Sequence, residues 1–370
     1  MNYLKVLNII GTRPEAIKLA ILHKLLLEDD KFESILCFTG QHPSLASEVL
    51  DQFDISPDYC CLVKNHNENL AFMISYLIKA LQELVNKLRP DYILVQGDTL
   101  SSYCGSTIAF LNQIKLIHVE AGLRTYNKWA PFPEEVFRKI NGILADIHFA
   151  PSIIAEQNLL NEGVKQKDIF QVGNTGVDAL LSMVNKLETE KIGVGDKIKT
   201  QFQKNNEGQK LILVTLHRRE SQVNYLESVI RNLKELSERK NVLIICPIHP
   251  NPKVISVYNK ITNTPNFKCI DPLKYSDFVW AMIKTDLIIT DSGGIQEEAP
   301  YLGKPLLIAR EQTERQEILN SKNCKFLNLD TLEDDIFQLL SLMDLKPFRP
   351  YGNGNASEKI LKILKEEIGD

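Results

Sequence analysis

The chain has 370 residues, 44% of them apolar and 24% charged, with a formal net charge of −4. That composition describes an ordinary globular protein with large cores, and at one domain per ~150 residues it implies roughly two domains. Without a basic stripe or a long apolar run it excludes a nucleic-acid partner and a membrane-spanning helix of ~18 residues.

The first ten residues go directly into a strand pattern, where a signal peptide would need a longer apolar core and a cleavage site. A cytoplasmic location is therefore expected. Cys37, Cys60, Cys61, Cys104, Cys246, Cys269 and Cys324 are odd in number and lack CxxC spacing. They predict neither a zinc site nor a disulfide framework, and most are expected to be small buried hydrophobes in a reducing compartment.

In chain order, strands are predicted over 5–10, 34–39, 92–96, 115–119, 148–150 and 169–172. Between them lie amphipathic stretches such as 70–87, whose apolar positions recur every three or four residues. This alternation means βαβ units and a parallel sheet, with ligands beyond the carboxyl ends of the strands. Residues 188–209 are rich in Lys, Glu, Asn and Gly and read as a linker or surface excursion near a domain boundary. A second series follows at 211–216, 242–247, 267–270, 286–290 and 305–308. Pro347, Pro350 and residues 351–354 break the chain before a last helix over 356–367. The fold expected is α/β, with two Rossmann-like doubly wound domains facing a cleft. Their bounds are 1–180, onto which the terminal helix of 356–370 packs back, and 181–355.

Polar clusters recur just after the predicted strands. In 11–18 (GTRPEAIK), Gly11 permits a turn, Pro14 suits a first helical position, and Arg13 and Lys18 can reach an anion. A capped helix with surface charges is the alternative. Asp98 in 96–99 (QGDT) and Glu120 in 118–125 (HVEAGLRT) each stand at the carboxyl end of an apolar strand, where burial without purpose is costly. Glu134, in 133–135 (PEE), adds an acid at a helix start, which helix capping would also explain. Clustered carboxylates can divide acid and base duties.

In the second half, His217 follows a strand and is flanked by Arg218 and Arg219, poised to titrate near neutrality or to neutralise phosphate. The run 288–300 reads as a buried strand, a small-residue turn Ser292-Gly293-Gly294 and an acidic helix. Exposed N–H groups at such a turn suit a phosphate, and Glu298, one turn in, suits the vicinal diol of a ribose. His249-Pro250-Asn251-Pro252 reads as a strand exit. His118-x-Glu120 lacks the Pro-Cys-x-x-Cys partner of zinc deaminases, Gly352-x-Gly354 is not a dinucleotide fingerprint, and no Walker or Gly-x-Ser-x-Gly motif occurs. Nothing demands a metal or a nicotinamide.

Taken in order and spacing, these clusters resemble the non-hydrolysing UDP-N-acetylglucosamine 2-epimerases. The matching segments are 11–18, 39–42 (TGQH), 96–99, 118–125, 133–135, 173–180 (GNTGVDAL), 217–220 (HRRE), 291–300 (DSGGIQEEAP) and 314–315, with Tyr351-Gly352 and Ala356-Ser357 near the end. The resemblance implies a glycosyltransferase-B-like fold with UDP in the interdomain cleft, held by Arg13, Ser292, Gly293, Gly294 and Glu298, with Phe278 and the backbone of Leu273. It implies Lys18, His217 and Arg315 on phosphates or sugar, and Asp98, Glu120 and Glu134 around the reacting sugar. The implied reaction is reversible C2 epimerisation by elimination of UDP to a glycal-like intermediate and re-addition after protonation on the opposite face. No redox cofactor is implied, and a homodimer is.

A regulatory second UDP-GlcNAc, known in bacterial relatives, would fall on Gln41, His42, Arg218 and His249. Departures from the family pattern are Phe137 and Ser221, each where Asn is usual, Gln316 where Pro is usual, and Ser44 in place of a longer polar residue. The alternatives are a hydrolysing epimerase, a glycosyltransferase of the same fold, and a catalytically silent UDP-sugar-binding protein. Hydrolysing relatives usually carry Gly-Thr-Arg-x-Glu-Tyr-Gly, which 11–18 does not match.

Overall fold

The computed structural model describes residues 3–40, 43–61, 69–216, 223–248, 252–258, 264–342 and 345–367. Its contacts divide the chain into two units, Met1–Leu181 with Tyr351–Asp370, and Ser182–Pro350.

The first unit runs β1 (Leu4–Ile10), α1 (Arg13–Glu28), β2 (Phe32–Phe38), α2 (Pro43–Gln52), β3 (Tyr59–Cys60), α3 (Leu70–Leu88), β4 (Tyr92–Gln96), α4 (Leu100–Leu111), β5 (Lys115–Val119), α5 (Glu134–Leu144), β6 (Ile147–Ala150), α6 (Ile153–Asn161), β7 (Ile169–Gln171) and α7 (Thr175–Glu188), the last crossing into the second unit. The strands form one parallel sheet ordered β3-β2-β1-β4-β5-β6-β7. Helices cover both faces, so the central strands are apolar on both sides. In β4 all five residues are buried. Order reverses between β1 and β4, and a crevice opens at such a switch point beyond the strand ends.

The second unit runs α8 (Asp196–Gln201), β8 (Lys210–Thr215), α9 (Val223–Arg239), β9 (Val242–Pro247), α10 (Pro252–Tyr258), β10 (Phe267–Ile270), α11 (Tyr275–Lys284), β11 (Leu287–Thr290), α12 (Gly293–Glu298), β12 (Leu306–Ile308), β13 (Cys324–Phe326) and α13 (Leu332–Leu340). Its parallel sheet, β10-β9-β8-β11-β12-β13, repeats the doubly wound order, with the switch point between β8 and β11. One of its cores joins Val229, Ile230 and Leu233 of α9, Ile336 and Leu339 of α13, and Ile212, Ile244 and Ile289 of the sheet.

The chain returns to the first unit through α14 (Ala356–Glu367), which packs on α1. The buried Asp178 of α7 accepts from the backbone N–H of Ala356 (3.1 Å) and of Ser357 (2.6 Å), satisfying amides that a helix start leaves without partners.

Three readings of the sequence change. Residues 188–209 are not featureless, since α8 lies within them. The edge strands β3 and β13, two and three residues long, have no counterpart among the predicted strands. Of the seven cysteines only Cys37, Cys104 and Cys246 are buried. Cys60 is exposed on the β3 edge, while Cys61, Cys269 and Cys324 are intermediate.

Candidate active site

In the first unit the site grows from the loops after β1, β4 and β5. Thr12 caps α1, accepting from Glu15 N–H at 3.5 Å, and the Glu15 carboxylate reaches back to accept from Gly11 N–H (3.0 Å) and the Thr12 hydroxyl (2.8 Å). This capping box has a third arm, because Thr99, the cap of α4, donates its hydroxyl to Glu15 at 2.7 Å. Glu15 thereby ties the loop carrying Arg13 to the loop carrying Asp98. Complete burial pushes its carboxyl up to about 7 against the hydrogen bonds that oppose the shift.

Glu120 follows β5 in the left-handed region, at φ 63°. A non-glycine residue there costs of order 1–3 kcal/mol and persists where the surroundings impose it. Its carboxylate pairs with Lys18 of α1 and accepts from Asn174 Nδ2 at 3.1 Å. Asn174 is fixed in turn by its own N–H on the Tyr351 carbonyl (3.0 Å) and by accepting from Gly176 N–H (2.8 Å). Lys18, expected on phosphate or sugar, is 6% exposed and has in Glu120 the anionic neighbour that a buried cation needs.

Asp98, after β4, pairs with Arg138 of α5. Arg138 also donates from Nη1 to Glu135 at 3.1 Å, and Glu135 accepts from the N–H groups of Thr125 (3.1 Å) and Tyr126 (2.8 Å). Glu134 starts α5 one turn before Arg138 and is partly exposed. Asp98, Glu120, Glu134 and Lys18 are thus gathered at one end of one sheet. A β-carbon on Gly97 would stand 3.6 Å from Glu120 Oε1, so the β4 and β5 loops are adjacent. Arg13, at the start of α1, is half-buried.

In the second unit the cluster follows β11. Ser292 N–H donates to Thr290 Oγ1 at 3.0 Å, and Thr290 meets Thr215 at the end of β8 through a 2.7 Å hydroxyl pair across the switch point. Gly293 lies under Arg315, whose guanidinium carbon is 2.6 Å from where a β-carbon would be, whereas Gly294 faces open space. Arg315 is buried, with Glu297 accepting from Nε at 2.8 Å and pairing with Nη2 at 2.7 Å, and with Glu314 on Nη1. Glu298 is buried, accepting from the Tyr275 hydroxyl at 3.0 Å, which joins α12 to α11. Leu273 is buried just before α11 and Phe278 is half-buried upon it. His217, Arg218, Gln41, His42 and His249 lie outside the described residues.

Sequence reasoning gave no part to Glu15, Asn174, Arg138 or Asn141. Only Glu15 had a local signal, the Thr-x-x-Glu spacing of a capping box. Among the described residues no group of three or more His, Cys, Asp and Glu side chains is arranged to hold a metal, and no helix is long and apolar enough to cross a membrane.

The family model described as UDP-N-acetylglucosamine 2-epimerase matches residues 24–365. The chain belongs to that family. Among this family's proteins, a UDP-N-acetylglucosamine 2-epimerase of Campylobacter jejuni is 40% identical over 373 residues, 97% of each chain. The epimerase of Neisseria meningitidis, solved bound to UDP-GlcNAc, superposes with a TM-score of 0.91 at 34% identity, covering 98% of this chain and 100% of that one. The Methanocaldococcus jannaschii epimerase, solved with UDP-GlcNAc and UDP, gives 0.86 at 30% identity over 99% and 100%. The two doubly wound domains are of the glycosyltransferase-B-like kind that these epimerases share.

Proposed function

We propose that this chain interconverts UDP-N-acetylglucosamine and UDP-N-acetylmannosamine without net hydrolysis. The C2 hydrogen of the sugar is not adjacent to a carbonyl and is poorly acidic. Breaking the C1–O bond, with its electron pair leaving on UDP, develops positive charge at C1 and makes the C2 proton removable. The products of this half are a 2-acetamidoglucal and UDP. Re-addition of UDP at C1, with a proton delivered to the opposite face of C2, completes the inversion. Such chemistry needs carboxylates to move protons, typically 10²–10⁴-fold in rate, and donors preorganised for the departing diphosphate.

The observation that carries this reading is the set of acids Asp98, Glu120 and Glu134, gathered at one sheet end in a member of this family. We assign them to the sugar, with His217. Arg13, Ser292, Gly293, Gly294, Glu298, Leu273 and Phe278 are assigned to UDP, and Lys18 and Arg315 act beside them while held by Glu120 and by Glu297 and Glu314. The same reading has the enzyme act in the cytoplasm as a homodimer, with a second UDP-GlcNAc as activator at Gln41, His42, Arg218 and His249. These finer points rest on the family resemblance.

Proton NMR of the purified protein with UDP-GlcNAc in D₂O tests the reaction. A UDP-N-acetylmannosamine anomeric signal with deuterium entering C2 is expected. Free UDP with N-acetylmannosamine would replace this reading by the hydrolysing one, and an unchanged spectrum by a silent binding protein.

A further inference from the structure

Two buried side chains converge on the peptide that leads into Asp98. The Gly97 carbonyl accepts from His118 Nε2 at 2.8 Å and from Asn141 Nδ2 at 3.1 Å, while Gly97 N–H donates to the Val119 carbonyl at 2.9 Å. Gly97 sits at φ 66°, where the chain turns from β4 toward the α4 cap, a backbone conformation that glycine adopts without penalty. His118 Nδ1 and Asn141 Oδ1 are buried with no hydrogen-bond partner among the described residues, and both residues are 0% exposed. An orphaned buried polar atom costs ~1–3 kcal/mol, which a well-packed apolar side chain would avoid. Packing alone would therefore select leucine or phenylalanine at these positions. What the two residues share is a donor aimed at one carbonyl.

The elements that supply these donors also carry the acids. His118 lies on β5, two residues before Glu120. Asn141 lies on α5, one turn after Arg138, which pairs with the Asp98 carboxylate, and two turns after Glu134. Asn141 Nδ2 also contacts Ser102 Oγ of α4 at 3.0 Å, so the clamp reaches the helix that follows Asp98. The Asp98 backbone and carboxylate are thus gripped separately, from β5 and α5.

We infer that His118 and Asn141 are positioning residues for the proposed epimerisation, fixing the Gly97 peptide so that the Asp98 carboxylate is aimed at the sugar. The inference rests on the proposed function, and both residues act through Asp98, since their burial keeps them off the substrate. A carbonyl only accepts, so His118 must carry its proton on Nε2. Burial holds the ring neutral, its pKa pushed down to about 3, so the donor is present across the whole working range of pH.

His118→Leu and Asn141→Leu remove one donor each. His118→Gln keeps a side-chain N–H that can reach the same carbonyl, and Asn141→Asp replaces a donor by an acceptor in the same shape. For both Leu variants and for Asn141→Asp, kcat on UDP-GlcNAc should fall on the order of 10²-fold, the usual consequence of an ångström-scale misplacement. KM and the calorimetric Kd for UDP should stay within about threefold, and His118→Gln should recover most of the lost kcat, with a pH profile shaped like that of the wild type. Folded variants with undiminished kcat would overturn the inference. So would a fall in kcat matched by loss of UDP affinity in every variant, His118→Gln included, because that is what general destabilisation produces. A wild-type chain inert in the NMR experiment overturns the functional reading, and the inference with it, before any variant is made.

Discussion

Glu15 gives the sharpest prediction because burial and hydrogen bonding oppose each other there. Its carboxyl is fully buried, and its pKa in the fold stands at about 7 against an ordinary value of 4.5. The folded chain therefore keeps a proton that the unfolded chain releases near pH 4.5. Between those values the native state binds more protons, so the contribution of this group is complete below pH 4.5 and declines as pH rises to about 7. At about 1.4 kcal/mol per pH unit the decline amounts to roughly 3 kcal/mol.

Glu15→Gln isolates this effect. The amide oxygen can take the place of Oε2, accepting from Gly11 N–H and Thr12, while the amide nitrogen donates to Thr99, whose hydroxyl can turn to accept. The variant should match the wild type near pH 4.5 and exceed it by about 3 kcal/mol near pH 8. Hydrogen exchange of the β1 and β4 amides, followed across pH and corrected for intrinsic rates, reads that gap in the unit concerned. A gap that stays flat, or that moves in favour of the wild type as pH rises, would show that the three donors hold Glu15 ionised in the fold and that burial does not win.

Asp178→Ala should free α14 by removing both acceptors of its first amides, a loss of about 2–3 kcal/mol, seen as earlier proteolytic release of the last helix with the second unit unaffected. Gly293→Ala should weaken UDP binding tenfold or more by calorimetry, because the new methyl meets the buried, doubly paired Arg315 guanidinium at 2.6 Å. Asp98→Asn and Glu120→Gln should abolish deuterium exchange at C2 while sparing UDP binding. Equal loss of both properties would refute the division between sugar and nucleotide residues.

The doubly wound pattern was legible because each central strand is a short β-branched run followed by a helix of different period. β8, with five of its six residues buried, and β11, with all four buried, show how plainly burial on both faces is written. β3 and β13 were not legible. Neither Tyr59-Cys60 nor Cys324-Lys325-Phe326 contains a β-branched residue of the kind that marked β7, an equally short edge strand. α8 was hidden for a related reason. Its six residues, DKIKTQ, include no buried side chain, so no apolar stripe marks it.

At the site, the acids could be picked out because a carboxylate directly after a buried strand is costly unless something needs it, and Asp98 and Glu120 both stand there. What each acid is paired with could not be read. Lys18 and Glu120 are 102 residues apart, Asp98 and Arg138 are 40 apart, and the clamp on Gly97 comes from residues 21 and 44 positions away. No local rule orders such pairs. They are set by which loops the sheet order makes neighbours, and in this sheet β4 lies between β1 and β5. The partner of Lys18, which read as a cation within reach of an anion, was hidden in the same way. A sequence shows a cation near a turn, but once the turn is buried the cation must be neutralised, and the nearest carboxylate takes it before any substrate arrives. On the proposed assignment, a diphosphate that reaches Arg315 must share its guanidinium with Glu297 and Glu314, so those two carboxylates bear on nucleotide affinity as well.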